Sequence, residues 1–484
     1  MAASDAITVE ALLARLDATS SATMRMRVVG SAAVTVNDIT IDSRSVKPGS
    51  LFCCIRGERH DGHDHAAQAV SNGAVVLLVD RELESPGVTQ LVVNDTREAT
   101  GHLSAAFFGQ PSRAITVVGV TGTNGKTTTA HMLGSIFEQS GRRTTVLGTL
   151  SGARTTPEAP ELQRTLAHER AKGTSAVVME VSSHALALKR VVGMHFAAAV
   201  FTNLGHDHLD FHGTHDAYFA AKASLFTKAY TDRGIVNRDD PYGRKITDSS
   251  DIAITSFGRS DATDVLVDPS GSTFSWRGEK VRCAVGGEFN VSNALAAATT
   301  AAELGITVPH IAAGLAKLPR IPGRFENVNA GGNVAVIVDY AHTPEALHNV
   351  ISAARDTTRS QGTQGGRVTV VFGCGGDRDP SKRPDMGAAA CAADSVVVTS
   401  DNPRLENPQT IIEAIVAGVP SDERSKLVVE VDRRRAIDLA CRTARPGDVV
   451  VIAGRGHETM QSIGGREIPF NDADVAREVL GLAR

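Results

Sequence analysis

The sequence predicts an α/β protein of about three domains, in which helices cover mainly parallel sheets. The chain has 484 residues, which is more than a single hydrophobic core usually organises. Hydrophobic residues make up 42% and aromatic residues only 4% of the chain, while valine, alanine and glycine are abundant. Valine-rich runs are typical of buried parallel strands, and alanine-rich stretches are typical of helices that pack on such sheets.

The first predicted domain covers residues 1–112. Residues 34–41 and 74–79 have the apolar pattern of strands. Residues 99–108 read as a helix, which the Gly-Gln-Pro sequence that follows would stop. We therefore place the first domain boundary after residue 112.

Two further regions alternate between strands and helices. The strand-like runs of residues 113–331 are 115–120, 176–180 and 197–203. The strand-like runs of residues 332–484 are 334–338, 368–372, 395–399 and 448–452. Because ligands bind at the carboxyl ends of strands in open α/β sheets, the loops after these strands are expected to carry the chemistry.

Composition and charge argue against several classes of function. The formal net charge is -4, and no run of basic residues indicates nucleic-acid binding. No run of about 18 apolar residues is present, so we expect no membrane insertion. Six cysteines are scattered without a Cys-x-x-Cys pair, which is typical of reduced intracellular proteins. We therefore expect a cytoplasmic protein, and we expect it to act as a monomer.

A loop rich in glycine and threonine is the most informative segment. Residues 122–128 read Gly-Thr-Asn-Gly-Lys-Thr-Thr and follow the predicted strand 115–120. Glycines let backbone N–H groups face phosphate oxygens, and the next helix offers its positive N-terminus. Lys126 would reach the β- and γ-phosphates of ATP, and the Thr127 hydroxyl would bind Mg²⁺. The general phosphate-loop pattern has glycine where this chain has Val120, so the loop is a variant form.

Further polar residues follow the strands of the central region. Glu180 ends the predicted strand 176–180, where a carboxylate could bind Mg²⁺ or cap the next helix. Four histidines lie between residues 206 and 215, and their His-x-His spacing suggests zinc, but no second ligand pair supports that reading. Lys222 lies in a helix-like stretch and by itself reads as a surface or ion-pairing lysine. The residues alone leave these alternatives open.

Three loops follow strands of the C-terminal region. The loop 373–379 fails the dinucleotide-binding pattern because Arg378 occupies the place of the third glycine, which favours an anion site. The turn Asp-Asn-Pro-Arg ends in Arg404, which is either a planar fork for a carboxylate or an exposed surface arginine. The sequence Gly-Arg-Gly-His-Glu ends in Glu458, which could receive an ammonium group, and its two glycines allow a ligand to approach the backbone closely.

Together and in this order, these segments resemble the Mur ligase family of ATP-dependent enzymes that form amide bonds. The resemblance covers nearly the whole chain. The matching segments are residues 42–44, 122–128, 155–157, 180–184, 203–213, 221–222, 286–293, 323–326, 339–344, 373–379, 401–404 and 454–458. The resemblance implies an N-terminal domain (1–112) for the UDP end of a nucleotide substrate, a central phosphate-loop ATPase domain (113–331) and a C-terminal Rossmann-like domain (332–484).

The resemblance also implies roles for single residues. Those implied to bind ATP are Gly122, Thr123, Asn124, Gly125, Lys126, Thr127, Thr128, Asn293, Arg324 and Asp339. Those implied to hold two Mg²⁺ ions are Thr127 and Glu180 for one, and His208 and a carbamylated Lys222 for the other. Lys126, Glu180, His208 and Lys222 would form the catalytic group.

The implied substrates are UDP-N-acetylmuramoyl-L-alanyl-D-glutamate (UDP-MurNAc-L-Ala-D-Glu) and meso-diaminopimelate, which the enzyme would join through an acyl phosphate in peptidoglycan synthesis. The residues implied to bind the nucleotide substrate are Ser43, Thr155, Thr156, Ser182 and Arg190. The residues implied to bind the amino acid are Arg378, Asp401, Asn402, Pro403, Arg404, Gly454 and Glu458. Arg404 would receive the carboxylate that distinguishes diaminopimelate from lysine, and Glu458 the ammonium group beside it.

Some residues depart from the family pattern. Leu188 and Lys189 replace a Gln-His pair, Arg154 replaces an asparagine, and Arg455 replaces a lysine found in some relatives. The changes at Leu188, Lys189 and Arg154 concern fine contacts to the UDP-sugar. Two other functions remain as alternatives: a related ligase that adds lysine or extends folylpolyglutamate, and a nucleotide-binding regulator that has lost catalysis. The presence of Lys126, Glu180 and Lys222 argues against the regulator.

Overall fold

The computed structural model describes residues 6–16, 24–57, 60–84, 87–329, 332–360 and 366–482. Its N-terminal part holds a five-stranded sheet whose strands, in spatial order, are Arg27–Val29, Thr89–Val92, Ala74–Val79, Ser50–Cys53 and Asp38–Thr40. A second, two-stranded sheet pairs Ile7–Thr8 with Thr35–Val36. The helical segments described here are Val9–Ala14, Ala66–Ser71, Thr96–Phe107, Pro111–Ala114 and the 3₁₀ turns Ser43–Ser45 and Gly62–His65.

The prediction of one strand over residues 34–41 is wrong. Thr35–Val36 belongs to the two-stranded sheet, whereas Asp38–Thr40 is an edge strand of the five-stranded sheet. Asn37 lies between them, and its side-chain amide donates a hydrogen bond to the carbonyl of Pro48 (2.9 Å). The chain changes sheets at this asparagine, which an apolar pattern read along the sequence does not reveal.

The central part contains a six-stranded sheet in which every pairing is parallel. Its strands, in spatial order, are Ala253–Phe257, Arg233–Asn237, Ala198–Phe201, Thr116–Thr121, Ala176–Glu180 and Thr144–Leu147. Its helices are Lys126–Gln139, Ala159–Ala171, Ser183–Ala187, Leu209–His212, His215–Ala223, Pro241–Ser249, Glu288–Glu303 and Val308–Ala316. The predicted parallel α/β region is therefore confirmed.

A small antiparallel sheet was not predicted. Its strands are Thr263–Asp268, Gly271–Trp276 and Glu279–Cys283, preceded by the 3₁₀ turn Arg259–Asp261. Phe274 and Trp276 are buried in the same apolar cluster as the central sheet. The small sheet therefore packs on the central part of the chain.

The C-terminal part contains a second six-stranded sheet, which is parallel except for its first strand. Its strands, in spatial order, are Glu326–Asn327, Ala335–Asp339, Val449–Ala453, Val368–Phe372, Ser395–Val398 and Leu427–Val429. The helices are Pro344–Ser360, Lys382–Ala390, Pro408–Ala417, Arg433–Thr443 and Asp472–Val479, with a 3₁₀ turn at Arg424–Lys426. A hairpin, Met460–Ile463 with Arg466–Pro469, follows the strand Val449–Ala453. This arrangement agrees with the predicted Rossmann-like fold.

The domain limits at 112 and 331 stay predictions. Residue 112 lies inside the short helix Pro111–Ala114, and residues 330 and 331 lie outside the described residues. One apolar cluster contains Val118 of the central sheet, Phe325, and Ile337 of the C-terminal sheet. The central and C-terminal parts therefore share a core across the second limit. No helix in the described part of the chain is long and apolar enough to cross a membrane.

Candidate active site

A cavity of about 360 Å³ lies where the carboxyl ends of the central strands meet the loop that follows the strand Ala335–Asp339 of the C-terminal sheet. Parallel strands bring their following loops to one edge of a sheet, which explains why residues far apart in the chain meet here. The predicted residues that line this cavity are Thr123, Asn124, Gly125, Lys126, Thr127, Thr128, Thr155, Glu180, Ser182, His208, Lys222, Asn293, Arg324 and Asp339.

The phosphate loop connects the strand Thr116–Thr121 to the helix Lys126–Gln139. Gly125 has φ 84° and directly precedes the helix, and a Cβ there would overlap the side-chain oxygen of Asn293. The backbone N–H of Asn124 donates to the side chain of Asn203 (2.9 Å). The loop therefore presents the N-terminus of a helix, and its glycine lets another group approach the backbone closely. Both features suit an anion-binding site.

Lys126 lies within this loop and contacts its backbone. Its Nζ donates to the carbonyl oxygens of Gly122 (2.9 Å) and Thr123 (2.8 Å). Loss of solvation lowers the pKa of Lys126, while the carboxylates of Glu180 and Asp207 act in the opposite direction. The ammonium group is therefore poised at the point where the phosphates of a nucleotide would meet the loop.

Glu180 is a buried carboxylate in the wall of the cavity, with 1% of its surface exposed. The hydroxyl of Thr127 donates to its Oε1 (3.0 Å), and the backbone N–H of Thr149 donates to the same oxygen (2.8 Å). The guanidinium of Arg324 donates to the Thr127 hydroxyl (2.9 Å). A carboxylate and a hydroxyl in contact are oxygen donors of the kind that Mg²⁺ prefers.

Lys222 is almost completely buried, with 1% of its surface exposed. Its Nζ donates to the carbonyl of Gly122 (2.7 Å) and lies 4.6 Å from the ring centre of Tyr218. Burial lowers the pKa of Lys222 well below its ordinary value, and the positive charge of Lys126 adds to this effect. Burial therefore disfavours the charged form of this amine. This position differs from the surface lysine that the isolated sequence suggested.

His208 lies at the cavity in a left-handed backbone conformation, φ 56°, which is uncommon for a residue other than glycine. Its ring packs edge to face on His184, with 4.7 Å between the ring centres. Loss of solvation lowers the pKa of His208 to about 3, so its ring is neutral and offers a nitrogen lone pair. The described residues contain no group of three or more His, Cys, Asp or Glu side chains arranged to hold a metal ion.

The three residues predicted to contact the nucleotide also lie at the cavity. Asn293 donates to Asn290 (2.8 Å), and the guanidinium of Arg324 lies 4.7 Å from the ring centre of Tyr340. The Asp339 carboxylate accepts backbone hydrogen bonds from Phe325 (2.7 Å) and Ala341 (2.8 Å). Asp339 therefore fixes the backbone that carries Arg324 and Tyr340 to the cavity.

Four of the residues predicted to bind the nucleotide substrate lie together. The Thr156 hydroxyl donates to the backbone carbonyl of Glu180 (2.9 Å) and accepts from the backbone N–H of Ser182 (3.1 Å). Arg190 donates to the carbonyl of Thr156 (3.3 Å), and Thr155 lines the cavity. These residues form a wall next to Glu180.

Ser43 is separate from the other four. It lies in the N-terminal sheet region, where its hydroxyl donates to the side chain of Gln68 (3.1 Å). The N-terminal part is held to the central part by Lys189, whose ammonium contacts Asp95 (2.6 Å) and Glu98 (2.7 Å). Lys189, a departure from the family pattern, thus serves as an interdomain ion pair.

The residues predicted to bind the amino acid form a second group, outside the cavity lining. Asn402 donates to Glu458 (2.6 Å), and the missing side chain of Gly454 leaves room for the Asp401 carboxylate. Arg404 has φ 52°, and its Nη1 donates to the carbonyl of Gly376 (2.5 Å).

The neighbouring loop 373–379 carries Arg378. The side chain of Arg378 is exposed. Pro403, between Asn402 and Arg404, is buried. The loop is joined to the Arg404 turn through Asp377, whose carboxylate accepts from the backbone N–H of Leu405 (3.1 Å). The structure thus brings together the three C-terminal loops that the sequence singled out separately.

Sequence reasoning missed several side chains of the site. Asn203 braces the phosphate loop and Thr149 contacts Glu180, and only Asn203 had a signal, as a polar residue directly after a strand. The Asp207 carboxylate lies 3.7 Å from Nε2 of His342 on the C-terminal part. Burial alone would raise the pKa of Asp207, but the hydrogen bond with the ring of His342 holds it below its ordinary value. This pair joins the central and C-terminal parts beside the cavity.

Comparison with known proteins agrees with this architecture. Residues 35–108 match the Mur ligase family catalytic domain, residues 120–301 the Mur ligase middle domain, and residues 323–456 the Mur ligase glutamate ligase domain. A solved structure named UDP-N-acetylmuramoyl-L-alanyl-D-glutamate--2,6-diaminopimelate ligase superposes with a TM-score of 0.65 at 30% identity, covering 92% of this chain and 95% of the other. Folylpolyglutamate synthase from Mycobacterium tuberculosis shares the fold, with a TM-score of 0.60 at 19% identity over 80% of this chain and 95% of the other.

Curated relatives are similar over almost their whole length. The enzyme named UDP-N-acetylmuramoyl-L-alanyl-D-glutamate--2,6-diaminopimelate ligase from Syntrophomonas wolfei is 45% identical, covering 92% of this chain and 94% of its own. The protein of the same name from Streptomyces avermitilis is 42% identical, covering 92% of both chains. The chain therefore belongs to the Mur ligase family of ATP-dependent amide ligases.

Proposed function

We propose that this enzyme joins meso-diaminopimelate to UDP-MurNAc-L-Ala-D-Glu at the expense of ATP, in the synthesis of peptidoglycan. The observation that carries the proposal is the placement of a phosphate loop, a buried carboxylate and a buried lysine in one cavity, beside a loop cluster that ends in Arg404 and Glu458. The names of the similar proteins support the same substrates.

The reaction has two chemical steps. The γ-carboxylate of the D-glutamate unit attacks the γ-phosphorus of ATP, which forms an acyl phosphate and releases ADP. The amine of diaminopimelate then attacks the acyl carbon and loses a proton, and inorganic phosphate leaves. Lys126 and the backbone N–H groups of residues 122–128 would hold the phosphates and offset the charge that develops during transfer.

The residues present fit one Mg²⁺ directly. Thr127 and Glu180 would hold it, because their hydroxyl and carboxylate oxygens are already in contact. His208 and Lys222 offer only nitrogens as they stand, so a second ion requires the proposed carbamate on Lys222, which would supply anionic oxygen. Bound Mg²⁺ would neutralise phosphate charge during transfer.

The nucleotide substrate would extend from the cavity toward the N-terminal sheet. Thr155, Thr156, Ser182 and Arg190 would contact its sugar and peptide end, and Ser43 would contact its UDP end. Arg154 and the 188–189 pair differ from some relatives. We therefore expect contacts to the UDP-sugar that differ in detail but leave the reaction unchanged.

The simplest test is ADP release by the purified enzyme with ATP, Mg²⁺ and UDP-MurNAc-L-Ala-D-Glu. We expect turnover with meso-diaminopimelate and much slower turnover with L-lysine, since a site built around a guanidinium disfavours a substrate without the matching carboxylate. Equal rates with both amino acids would contradict the specificity. Turnover with a folate substrate would favour the related ligase, and ATP binding without turnover would favour a regulator.

Replacing Arg404 by alanine tests the recognition of the second carboxylate. We expect the KM for meso-diaminopimelate to rise about tenfold to a hundredfold, the loss expected for a charge-assisted hydrogen bond. The KM for L-lysine should stay nearly constant. Arg466→Ala, an exposed arginine on the neighbouring hairpin, is the matched control. A KM for diaminopimelate that hardly changes would show that another group receives this carboxylate.

We also propose that the enzyme acts in the cytoplasm as a monomer. All six cysteines are free thiols, which suits a reducing compartment. Light scattering on the purified protein checks the oligomeric state. A stable dimer would contradict this part of the proposal without affecting the reaction.

A further inference from the structure

A group of charged side chains lies beneath the loops that end in Arg404 and Glu458. Arg433 donates to both carboxylate oxygens of Asp472 (2.8 and 2.7 Å), and neither side chain has any exposed surface. Arg433 also donates to the carbonyl of Ala453 (2.9 Å). This ion pair has complete hydrogen bonding, as a buried pair requires.

Arg455 lies beside this pair, but only one of its guanidinium nitrogens donates hydrogen bonds to described residues. It has 1% of its surface exposed, and its Nη2 donates to the carbonyls of Met460 (2.6 Å) and Phe470 (3.2 Å). Its Nε and Nη1 are buried and donate no hydrogen bond to any described residue. Their contacts with carboxylates are longer than hydrogen bonds, 3.9 Å from Nη1 to Asp472 and 3.6 Å from Nε to Glu458. Nitrogens of a buried cation that lack hydrogen bonds are costly, so the position of Arg455 calls for a functional explanation.

The nearest carboxylate on the side of the amino-acid loops belongs to Glu458. Nε of Arg455 lies 3.6 Å from Oε2 of Glu458, and Asn402 donates to the same oxygen (2.6 Å). Burial and the nearby Asp401 raise the pKa of Glu458, whereas Asn402, Arg455 and Arg404 act in the opposite direction. Arg455 thus opposes the two influences that would protonate this carboxyl group.

The charges of the whole group favour a cationic ligand. Two guanidinium groups, those of Arg433 and Arg455, face three carboxylates, those of Asp472, Asp401 and Glu458. Arg404 also acts on Glu458 and makes the two numbers equal, but it is proposed to pair with a carboxylate of the substrate, which leaves one carboxylate for an ammonium group. An ammonium group bound at Glu458 would balance that charge, which matches the α-amino or ε-amino end of a diamino acid.

We propose that Arg455 is a positioning residue for the amino-acid substrate: from beneath the pocket, it keeps the Glu458 carboxylate ionised and oriented to receive the ammonium group of the incoming diamino acid. This inference rests on the proposed function. It assigns Arg455 a role through Glu458 and not in direct contact with the substrate.

The test compares Arg455→Met with wild-type enzyme in steady-state assays with meso-diaminopimelate, ATP and UDP-MurNAc-L-Ala-D-Glu. We expect the KM for meso-diaminopimelate to rise about tenfold at pH values below the acidic limb, as for a one-unit rise in the pKa of Glu458, and to rise less at neutral pH. The KM values for the other two substrates should change less than about twofold, because Arg455 does not line the nucleotide cavity. Arg455→Lys, which keeps the cation, should restore most of the loss.

The pH profile separates this role from a purely structural one. The acidic limb of kcat/KM for meso-diaminopimelate should move to higher pH in Arg455→Met and return toward the wild-type position in Arg455→Lys. In the Glu458→Gln background, Arg455→Met should have little further effect on this KM, because the group through which it acts is absent. Arg466→Met, which removes an exposed charge nearby, should leave the limb in place.

Several results would overturn the proposal. The first is an acidic limb of kcat/KM that Arg455→Met does not shift. The second is an increase in the KM for meso-diaminopimelate on Arg455→Met that is equally large in the Glu458→Gln background. The third is an Arg455→Lys enzyme with a KM for meso-diaminopimelate as high as that of Arg455→Met. Arg455→Gln replaces Arg455→Met if the latter does not fold. If neither variant folds, the pH profile of wild-type enzyme is compared with that of Glu458→Gln. The acidic limb that is present in wild-type enzyme and lost in Glu458→Gln should lie below about pH 7. A limb above about pH 7 contradicts the proposal. Failure of the proposed function is distinct, because wild-type enzyme would then show no diaminopimelate-dependent ADP release.

Discussion

Replacing Lys222 by methionine is expected to lower kcat at least about a thousandfold, which corresponds to about 4 kcal/mol of transition-state stabilisation. Lys222 is buried, donates to the Gly122 carbonyl of the phosphate loop, and has a pKa that burial lowers well below its ordinary value. An uncharged amine can add carbon dioxide, so methionine would remove both the loop contact and the proposed anionic metal ligand. ADP release in a single-turnover assay measures the effect, and the KM for ATP should change much less.

Lys228→Met is the matched control, because Lys228 is exposed and close in sequence. Mass spectrometry of intact wild-type protein, under conditions that preserve the acid-labile group, should find the added mass of carbon dioxide on Lys222. A Lys222→Met enzyme that keeps more than about a tenth of wild-type turnover would contradict a role in metal binding, since loss of a metal ligand should cost several kcal/mol.

The fold was predictable where strands are buried on both faces. The predicted strands 176–180 and 368–372 agree with Ala176–Glu180 and Val368–Phe372 at both ends, because a continuous apolar run marks such a strand. The strand Thr263–Asp268 escaped prediction because its residues are mostly exposed and its apolar alternation is weak. Residues 34–41 failed because one asparagine divides the run between two sheets.

The candidate site was predictable to the extent that its residues follow strands. Glu180 and the phosphate loop could be expected to meet, since parallel strands place their carboxyl ends together. Contacts between the central and C-terminal parts could not be derived in this way. The contact of Asp207 with His342 and the hydrogen bond from Arg324 to Thr127 each depend on how two sheets pack, which no local pattern encodes.

The position of Arg404 shows the same limit. Its backbone N–H donates to the carbonyl of Ser462 (3.0 Å), and the N–H of Gly464 donates back to the Arg404 carbonyl (2.6 Å). The hairpin that contains Ser462 and Gly464 was not predicted. It holds Arg404 in a left-handed conformation that residues other than glycine seldom adopt. The motif could therefore suggest that Arg404 binds a carboxylate, but it could not predict the backbone conformation that orients the guanidinium group.

Replacing Glu180 by glutamine is expected to lower kcat about a thousandfold, or about 4 kcal/mol. The amide keeps the shape of a side chain that has no spare room, because a Cβ at Gly148 would overlap its Oε1. It removes the negative charge, however, and oxygen ligands that carry charge bind Mg²⁺ most strongly. The Mg²⁺ concentration needed for half-maximal turnover should therefore rise together with the loss in kcat.

The dependence on Mg²⁺ distinguishes a metal ligand from a residue that only supports the loop. Glu180 also accepts hydrogen bonds from Thr127 and Thr149, so Glu180→Gln could disturb the loop without touching a metal. In that case ADP affinity and thermal stability would fall while the Mg²⁺ dependence stayed unchanged. Glu161→Gln, on the exposed face of the helix Ala159–Ala171, controls for loss of charge alone. An unchanged Mg²⁺ dependence in Glu180→Gln would remove this residue from the proposed metal site and leave it as a brace of the phosphate loop.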